Sequence, residues 1–353
     1  MMHWKQLIYA GLTSAVMMPI LRACLTKMHV AVLMYHELGR DDADIEAWTV
    51  VRESDFLRQV EYLDRHYDVV SLDQALMRMQ SGQPSSRPMA VLTFDDGDRG
   101  NADVLLPIVE RLKMPVAVYV ATQQVTDGTP YWFDRVVNVL QTDGVINVDL
   151  QAHGLKQYVI NQSRGAKNWV AIQRLLQDLK TLAPETRERA VRAMVEKLQG
   201  TAHRADCHIE PAGIEDIQAL AACELVTIGS HSHCHNILTQ LAPIEVERSL
   251  RMSKTLLEKW IKKPVDHFAY PNGSYNKAVL DVVHRVGFRS AVTTEQRLYQ
   301  RPDPICEIPR IAVGRYDSLD QFKLNLLGGI GGLMPWRRGR SGAPGPMSST
   351  CTP

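Results

Sequence analysis

The chain has 353 residues, 45% of them hydrophobic and 22% charged, so it can bury a large core, and its composition argues against an intrinsically disordered protein. A formal net charge of +1, from 40 Lys and Arg against 39 Asp and Glu, gives no electrostatic reason for a nucleic-acid partner. Six scattered cysteines (Cys24, Cys207, Cys223, Cys234, Cys306 and Cys351) form no C-x-x-C pair, which argues against a disulfide framework or a thiolate metal knot and favours reduced thiols.

In residues 1–29, Lys5 precedes an apolar stretch, residues 7–21, that ends at Arg22. Gly11, Thr13, Ser14 and Pro19 interrupt that stretch, and it is short for a membrane span. A membrane-associating helix, an ordinary docking helix and a cleaved signal are all open readings. Membrane association through this segment is therefore an open partnership. A cytoplasmic or membrane-associated location is favoured, and export is not excluded.

Residues 30–35 (VAVLMY) form an apolar run of strand length ending in His36. Over residues 55–66, Phe56, Leu57, Val60 and Leu63 recur at helical spacing. A short strand starts at Val69 and a helix covers residues 72–79. Residues 89–94 (MAVLTF) form a continuous apolar strand bounded by Pro88 and by Asp95-Asp96-Gly97. A helix over 104–112 and a strand over 115–120 (PVAVYV) follow. Apolar strands alternating with amphipathic helices at this spacing predict βα units around a parallel sheet.

Residues of about 122–215 break the alternation. Tyr131-Trp132-Phe133 opens a stretch that contains the charged, helix-prone run 169–199, which reads as a helical insertion between consecutive strands. Packing is the expected role of the three aromatics, with stacking on sugar rings as the alternative. The alternation then resumes with a helix at 214–222, a strand at 225–228, a helix at 243–261, a strand at 267–270, a helix at 278–286 and strands at 290–293 and 308–313. Residues 328–353 are rich in Gly, Pro and Ser, carry Arg337, Arg338 and Arg340, and read as a disordered basic tail.

The chemistry concentrates at two strand ends. In Thr93-Phe94-Asp95-Asp96-Gly97, two adjacent carboxylates close a buried strand, a costly placement unless they bind a cation or move protons. A turn or helix cap is the structural alternative. His231-Ser232-His233-Cys234-His235 closes another apolar strand. If a helix begins near Ser230, His231 and His235 share one face; if the segment stays extended, all three histidines do. One carboxylate with two imidazoles is a common catalytic zinc set, and the second carboxylate is then free to act as general base.

With these residues in place, the sequence resembles the polysaccharide deacetylase family with the NodB homology domain, carbohydrate esterase family 4, and specifically its exopolysaccharide-type members. T-F-D-D-G matches the family's first motif, G-S-H-S-H-C-H its second, and Phe268-Ala269-Tyr270-Pro271-Asn272-Gly273 is similar to its third. The resemblance implies a distorted (β/α) barrel with a helical insertion, making a deacetylase domain over residues 30–327. It also implies a divalent metal cofactor, usually zinc, and an N-acetylated glycan as partner. Position by position it assigns Asp95 as base, Asp96, His231 and His235 as metal ligands, and the backbone N–H of Asn272 as donor to the developing oxyanion. The implied activity is removal of N-acetyl groups from an amino-sugar polysaccharide or lipid-linked glycan. An O-acetyl esterase and a silent glycan-binding protein are the alternatives.

The sequence departs from the family pattern twice. Ala269 stands where the family has an arginine that holds the catalytic aspartate, and Arg310, in Ile308-Pro309-Arg310-Ile311, is the candidate replacement. The family's last motif, an apolar strand ending in a general-acid histidine, has no counterpart after His284. Val32-Leu33-Met34-Tyr35-His36 has that form at the other end of the chain. First and last strands are neighbours in a closed barrel, so His36 is the candidate acid and His233 its rival.

Overall fold

A computed structural model of the protein describes residues 29–328, apart from 44, 83–85, 142–143, 162–165 and 199–207. The readings of the N-terminal segment and of the C-terminal tail therefore lie outside the described residues. Among the described residues no helix is long and apolar enough to cross a membrane.

Six parallel strands form the frame, in the order β1 (His29–Tyr35), β5 (Met89–Phe94), β6 (Val116–Val120), β9 (Val226–Ser230), β10 (His267–Ala269) and β11 (Ser290–Val292). Nearly every residue of β1, β5 and β6 is buried, so these strands read as unbroken apolar runs. Successive side chains nevertheless go to opposite faces. Val30, Val32, Met89, Val91, Ala117, Tyr119, Ala269 and Val292 share one cluster with Leu72, Ala75, Leu76 and Met79 of helix α2 (Leu72–Ser81). The alternate set, including Leu33, Tyr35, Leu92, Phe94 and Val118, packs beneath the outer helices. Those helices are α1 (Glu53–His66), α3 (Leu106–Leu112), α8 (Ile214–Ala222), α9 (Pro243–Ile261) and α10 (Lys277–Val286), and α11 (Leu319–Asn325) packs beside α1. Each turns an apolar stripe inward, as Phe56, Val60 and Leu63 do in α1.

The ring is closed by a short segment. Ile308 bridges Val292 at the end of β11, and β13 (Ile311–Ala312) pairs in parallel with Leu33 and Met34 of β1. β12 (Tyr299–Gln300) runs antiparallel beside the start of β1, and β4 (Asp68–Val69) beside the start of β5. The result is a distorted (β/α) barrel. Its register sets Tyr35 opposite Phe94, Phe94 opposite Val118, and Ser230 opposite both Val120 and Phe268. His36, Asp95 and His231, each the next residue after its strand, therefore gather at the carboxy-terminal rim, where barrels of this kind place their chemistry.

At that rim β2 (Glu37–Gly39) and β3 (Val50–Arg52) pair in a small parallel sheet. After α4 (Thr122–Asp127) the chain leaves the ring and builds a second core. This core joins α5 (Trp132–Val139), α6 (Ala166–Lys180) and α7 (Pro184–Leu198) to Ile45, Ala47 and Val50. The insertion is not helical throughout. It also holds an antiparallel hairpin, β7 (Val145–Asp149) with β8 (Gln157–Asn161), whose Ile146, Val148 and Ile160 enter that core while Val145 and Val159 face water.

Candidate active site

The backbone separates the two adjacent aspartates. The Asp95 N–H donates to the Tyr35 carbonyl at 3.0 Å, which keeps the chain in sheet register up to that residue. Asp96 then turns to φ 73 and Gly97 to φ 86, left-handed conformations that Asp tolerates better than most side chains and Gly adopts freely. A Cβ at Gly97 would also lie 3.0 Å from Val120 Cγ1. This turn sends Asp95 toward Arg310 and Asp96 toward the histidines.

Asp96, His231 and His235 each offer a ligand atom within 4.8 Å of the others. Asp96 Oδ1 lies 3.1 Å from His235 Nε2 and 3.5 Å from His231 Nε2, and the two Nε2 atoms are 3.1 Å apart. His231 Nδ1 is 2.8 Å from the Ala269 carbonyl, which can only accept, so Nδ1 carries the proton and Nε2 faces the cluster bare. Asp96 Oδ1 is buried, and its polar neighbours are the Nε2 atoms of His235 and His231. A carboxylate oxygen and a bare imidazole nitrogen converging on one point fit a cation. Burial pushes His231 down to about 4, so its ring is neutral at ordinary pH. Burial would raise Asp96, but the hydrogen bond and charge of His235 outweigh it and hold the carboxyl low.

Neither backbone form expected for the histidine segment occurs. β9 ends at Ser230, and the chain enters an irregular turn in which Ser232 and His235 take φ 66 and 48. Ser232 Oγ accepts from the His235 N–H at 3.1 Å, and this turn, with no helix, brings His231 and His235 together. His233 is directed elsewhere, with Nδ1 2.8 Å from Thr122 Oγ1 and its N–H on Ser249 Oγ.

Arg310 is fully buried and holds Asp95 in a fork, Nη1 to Oδ1 and Nη2 to Oδ2, both at 2.7 Å. Two of its other three N–H groups are used as well, Nε on the Thr293 carbonyl at 2.8 Å and Nη1 on Thr93 Oγ1 at 3.0 Å. Burial alone would raise the Asp95 pKa, yet the Arg310 charge and fork outweigh it and hold the carboxyl below its ordinary value. The ring closure explains the placement, because Arg310 lies between the Ile308 bridge and β13.

His36 follows β1 level with Asp95. Its Nδ1 is buried without a hydrogen-bond partner, and its ring meets Trp48 edge-on at 5.6 Å. Asn272 stands in the exposed loop after β10 at φ 56, where its Oδ1 accepts from Lys180 Nζ at 2.6 Å. Behind Asp96 lie three buried acids. Burial pushes Glu37 up to about 8 and raises Asp98 and Asp134 well above the usual carboxylate range.

Two of the aromatics that open the insertion, and one arginine that no sequence signal marked, also reach this rim. Tyr131 and Phe133 pack their rings 5.0 Å from that of His235. Arg187 of α7 donates to Asn236, the residue after His235, at 3.2 Å. These residues come from the insertion, where no motif marks the polar positions.

A family model described as polysaccharide deacetylase matches residues 82–291, more than half of the chain. No functionally curated protein matches the sequence. Among solved structures, the Streptococcus pyogenes deacetylase PplD in complex with acetate is similar at 16% identity and a TM-score of 0.53, covering 84% of this chain and 98% of that one. IcaB from Ammonifex degensii is similar at 15% identity and a TM-score of 0.54, covering 85% and 98%. A de-N-acetylase from Aggregatibacter actinomycetemcomitans is similar at 14% identity and a TM-score of 0.53, covering 84% and 99%.

Proposed function

The chain belongs to the polysaccharide deacetylase family, and from that premise we propose that it hydrolyses the N-acetyl group of an amino-sugar polysaccharide or lipid-linked glycan. The observation that carries the reading is the pairing of two sites, Asp95 forked by buried Arg310 and, one residue on, Asp96 converging with His231 and His235. Asp96, His231 and His235 would hold a divalent metal, and one carboxylate with two imidazoles suits zinc. When bound, such an ion lowers the pKa of water and polarises a carbonyl oxygen.

The remaining groups divide the proton work. Asp95, kept ionised by Arg310, takes a proton from the attacking water as its oxygen bonds to the acetyl carbon. The backbone N–H of Asn272 is the proposed donor to the oxygen that becomes negative. As the C–N bond breaks, the departing nitrogen needs a proton, because an amide anion is too poor a leaving group near neutral pH. His36 is the proposed donor, since an imidazole titrates in the right range and this one stands beside Asp95. Acetate and a free amine result.

The test is to measure metal content together with acetate and amine release from free and lipid-linked N-acetylated oligosaccharides. Acetate with equimolar amine is expected. Acetate without amine would make the protein an O-acetyl esterase, and bound metal without release would make it a glycan-binding protein. His36→Ala should keep fold and metal yet lose roughly 10²-fold or more in turnover. Normal turnover by that variant, with loss in His233→Ala, would transfer the acid role to His233.

A further inference from the structure

The insertion reaches the rim with two cations that lack a carboxylate partner. Lys180, the last residue of α6, is half-buried and gives its ammonium to Asn272 Oδ1 at 2.6 Å. Arg187 is 2% exposed, its guanidinium lies 4.9 Å from the centre of the Trp132 ring, and one of its bonds goes to Asn236 Oδ1. Its Nη1 is buried with no hydrogen-bond partner. Lys180 feels the charges of Asp96 and of Arg187, and Arg187 feels that of Glu188. Glu188 forms its ion pairs with Arg135 and Arg192, so it offers Arg187 a field and no direct contact. Among the described residues no carboxylate forms an ion pair with Lys180 or Arg187.

Desolvating like charges within each other's field is costly unless an anion offsets them. The neutral amides of Asn272 and Asn236 satisfy geometry but supply no counter-charge. Among the described residues Asp96 is the acid whose field favours the charged form of Lys180, and it already faces two histidines. We propose that Lys180, backed by Arg187, is an anion-recognising subsite for the substrate, so that the protein prefers an N-acetylated sugar bearing a phosphate or carboxylate group near the acetamide. This rests on the deacetylase reading and names the substrate class within it. Lys180 touches the anion, while the charge of Arg187 strengthens the local positive potential.

The experiment compares three probes on the full-length, metal-loaded protein: a neutral N-acetylated disaccharide, an N-acetylhexosamine phosphate and a uronic-acid-linked N-acetylhexosamine. The wild type should show a lower KM for one or both charged probes, and raising the ionic strength should weaken that preference. Lys180→Gln keeps a donor for Asn272 and removes the charge. It should raise the KM of the preferred charged probe about 10-fold relative to that of the neutral one. Lys180→Arg should retain the preference. Calorimetry of inorganic phosphate and of free uronic acid needs no turnover, and the favoured anion should bind about 10-fold more weakly to Lys180→Gln. The better retained anion tells a phosphorylated sugar from an acidic polysaccharide. Equal KM ratios in wild type and Lys180→Gln, with unchanged anion binding, would overturn the proposal, as would a loss shared evenly by all three probes. If none of the probes releases acetate, the deacetylase reading fails, and the anion titrations still decide the subsite.

Discussion

At Asp95 two forces oppose each other, burial favouring the neutral acid and the Arg310 fork favouring the carboxylate, and the fork prevails. An acid whose pKa falls on folding contributes stability at pH values above its unfolded pKa, and loses it as pH drops through the lower folded value. Arg310→Met should therefore move the acidic limb of the pH–rate profile upward. It should also cost roughly 3–5 kcal/mol in urea unfolding at neutral pH, the scale for stranding one partner of a buried pair. An unchanged acidic limb would show that Arg310 only braces the fold. Asp95→Asn should keep metal and lose most turnover, whereas Asp96→Asn, His231→Ala and His235→Ala should lose metal and turnover together; metal analysis alongside acetate release separates the two classes. Glu37 behaves in the opposite sense. Its folded pKa is raised to about 8, so the stability it contributes is present below its ordinary value of 4.5 and lost as pH rises through about 8. Glu37→Gln keeps an acceptor for the Gly100 N–H and never ionises. Its melting temperature should exceed that of the wild type at pH 9, and the gap should shrink toward pH 5; a constant gap would mean that Glu37 is not the group that titrates.

Elements defined by long apolar periodicity could be read from the sequence. The helices expected over 214–222 and 243–261 are those observed, and the apolar runs ending at Tyr35, Phe94 and Val120 are strands, because segments buried on both faces must be apolar throughout. The hairpin β7–β8 was missed, since alternation over five residues in each strand is a faint signal beside long helical runs. The residues that converge on the candidate site were legible as residue types at strand ends, but their backbone was not. The turn joining His231 to His235 depends on positive φ at Ser232 and at His235 itself, which no propensity anticipates. The loop after β10 makes a similar demand. Gly273 sits at φ 66, and a Cβ there would fall 1.9 Å from Thr294 Oγ1. Gly273→Ala should cost about 1–3 kcal/mol in unfolding free energy, the scale of a strained backbone position, and should disturb the loop that holds Asn272. Equal stability and turnover in this variant would show that the loop can move aside.

On the scale of the whole molecule, the candidate site draws on widely separated parts of the chain: His36 from the first strand of the ring, Lys180 and Arg187 from the insertion, and Arg310 from the closing segment. Removing residues 329–353 should leave deacetylation of a soluble substrate intact, because that stretch has no apolar periodicity and no candidate ligand; a large fall in turnover would assign it a part in the site. A cut before Ile308 is a different matter. It would remove β13 from the edge of β1 and the counter-charge from Asp95 in one stroke. Chains are made from the amino terminus, and contacts between distant segments form late. A ribosome-bound nascent chain would therefore carry the histidine cluster and Asp96 well before it carried Arg310. Competence to bind a cation should precede hydrolytic competence during synthesis, so the growing polypeptide would stay chemically silent until its last strand had docked against its first.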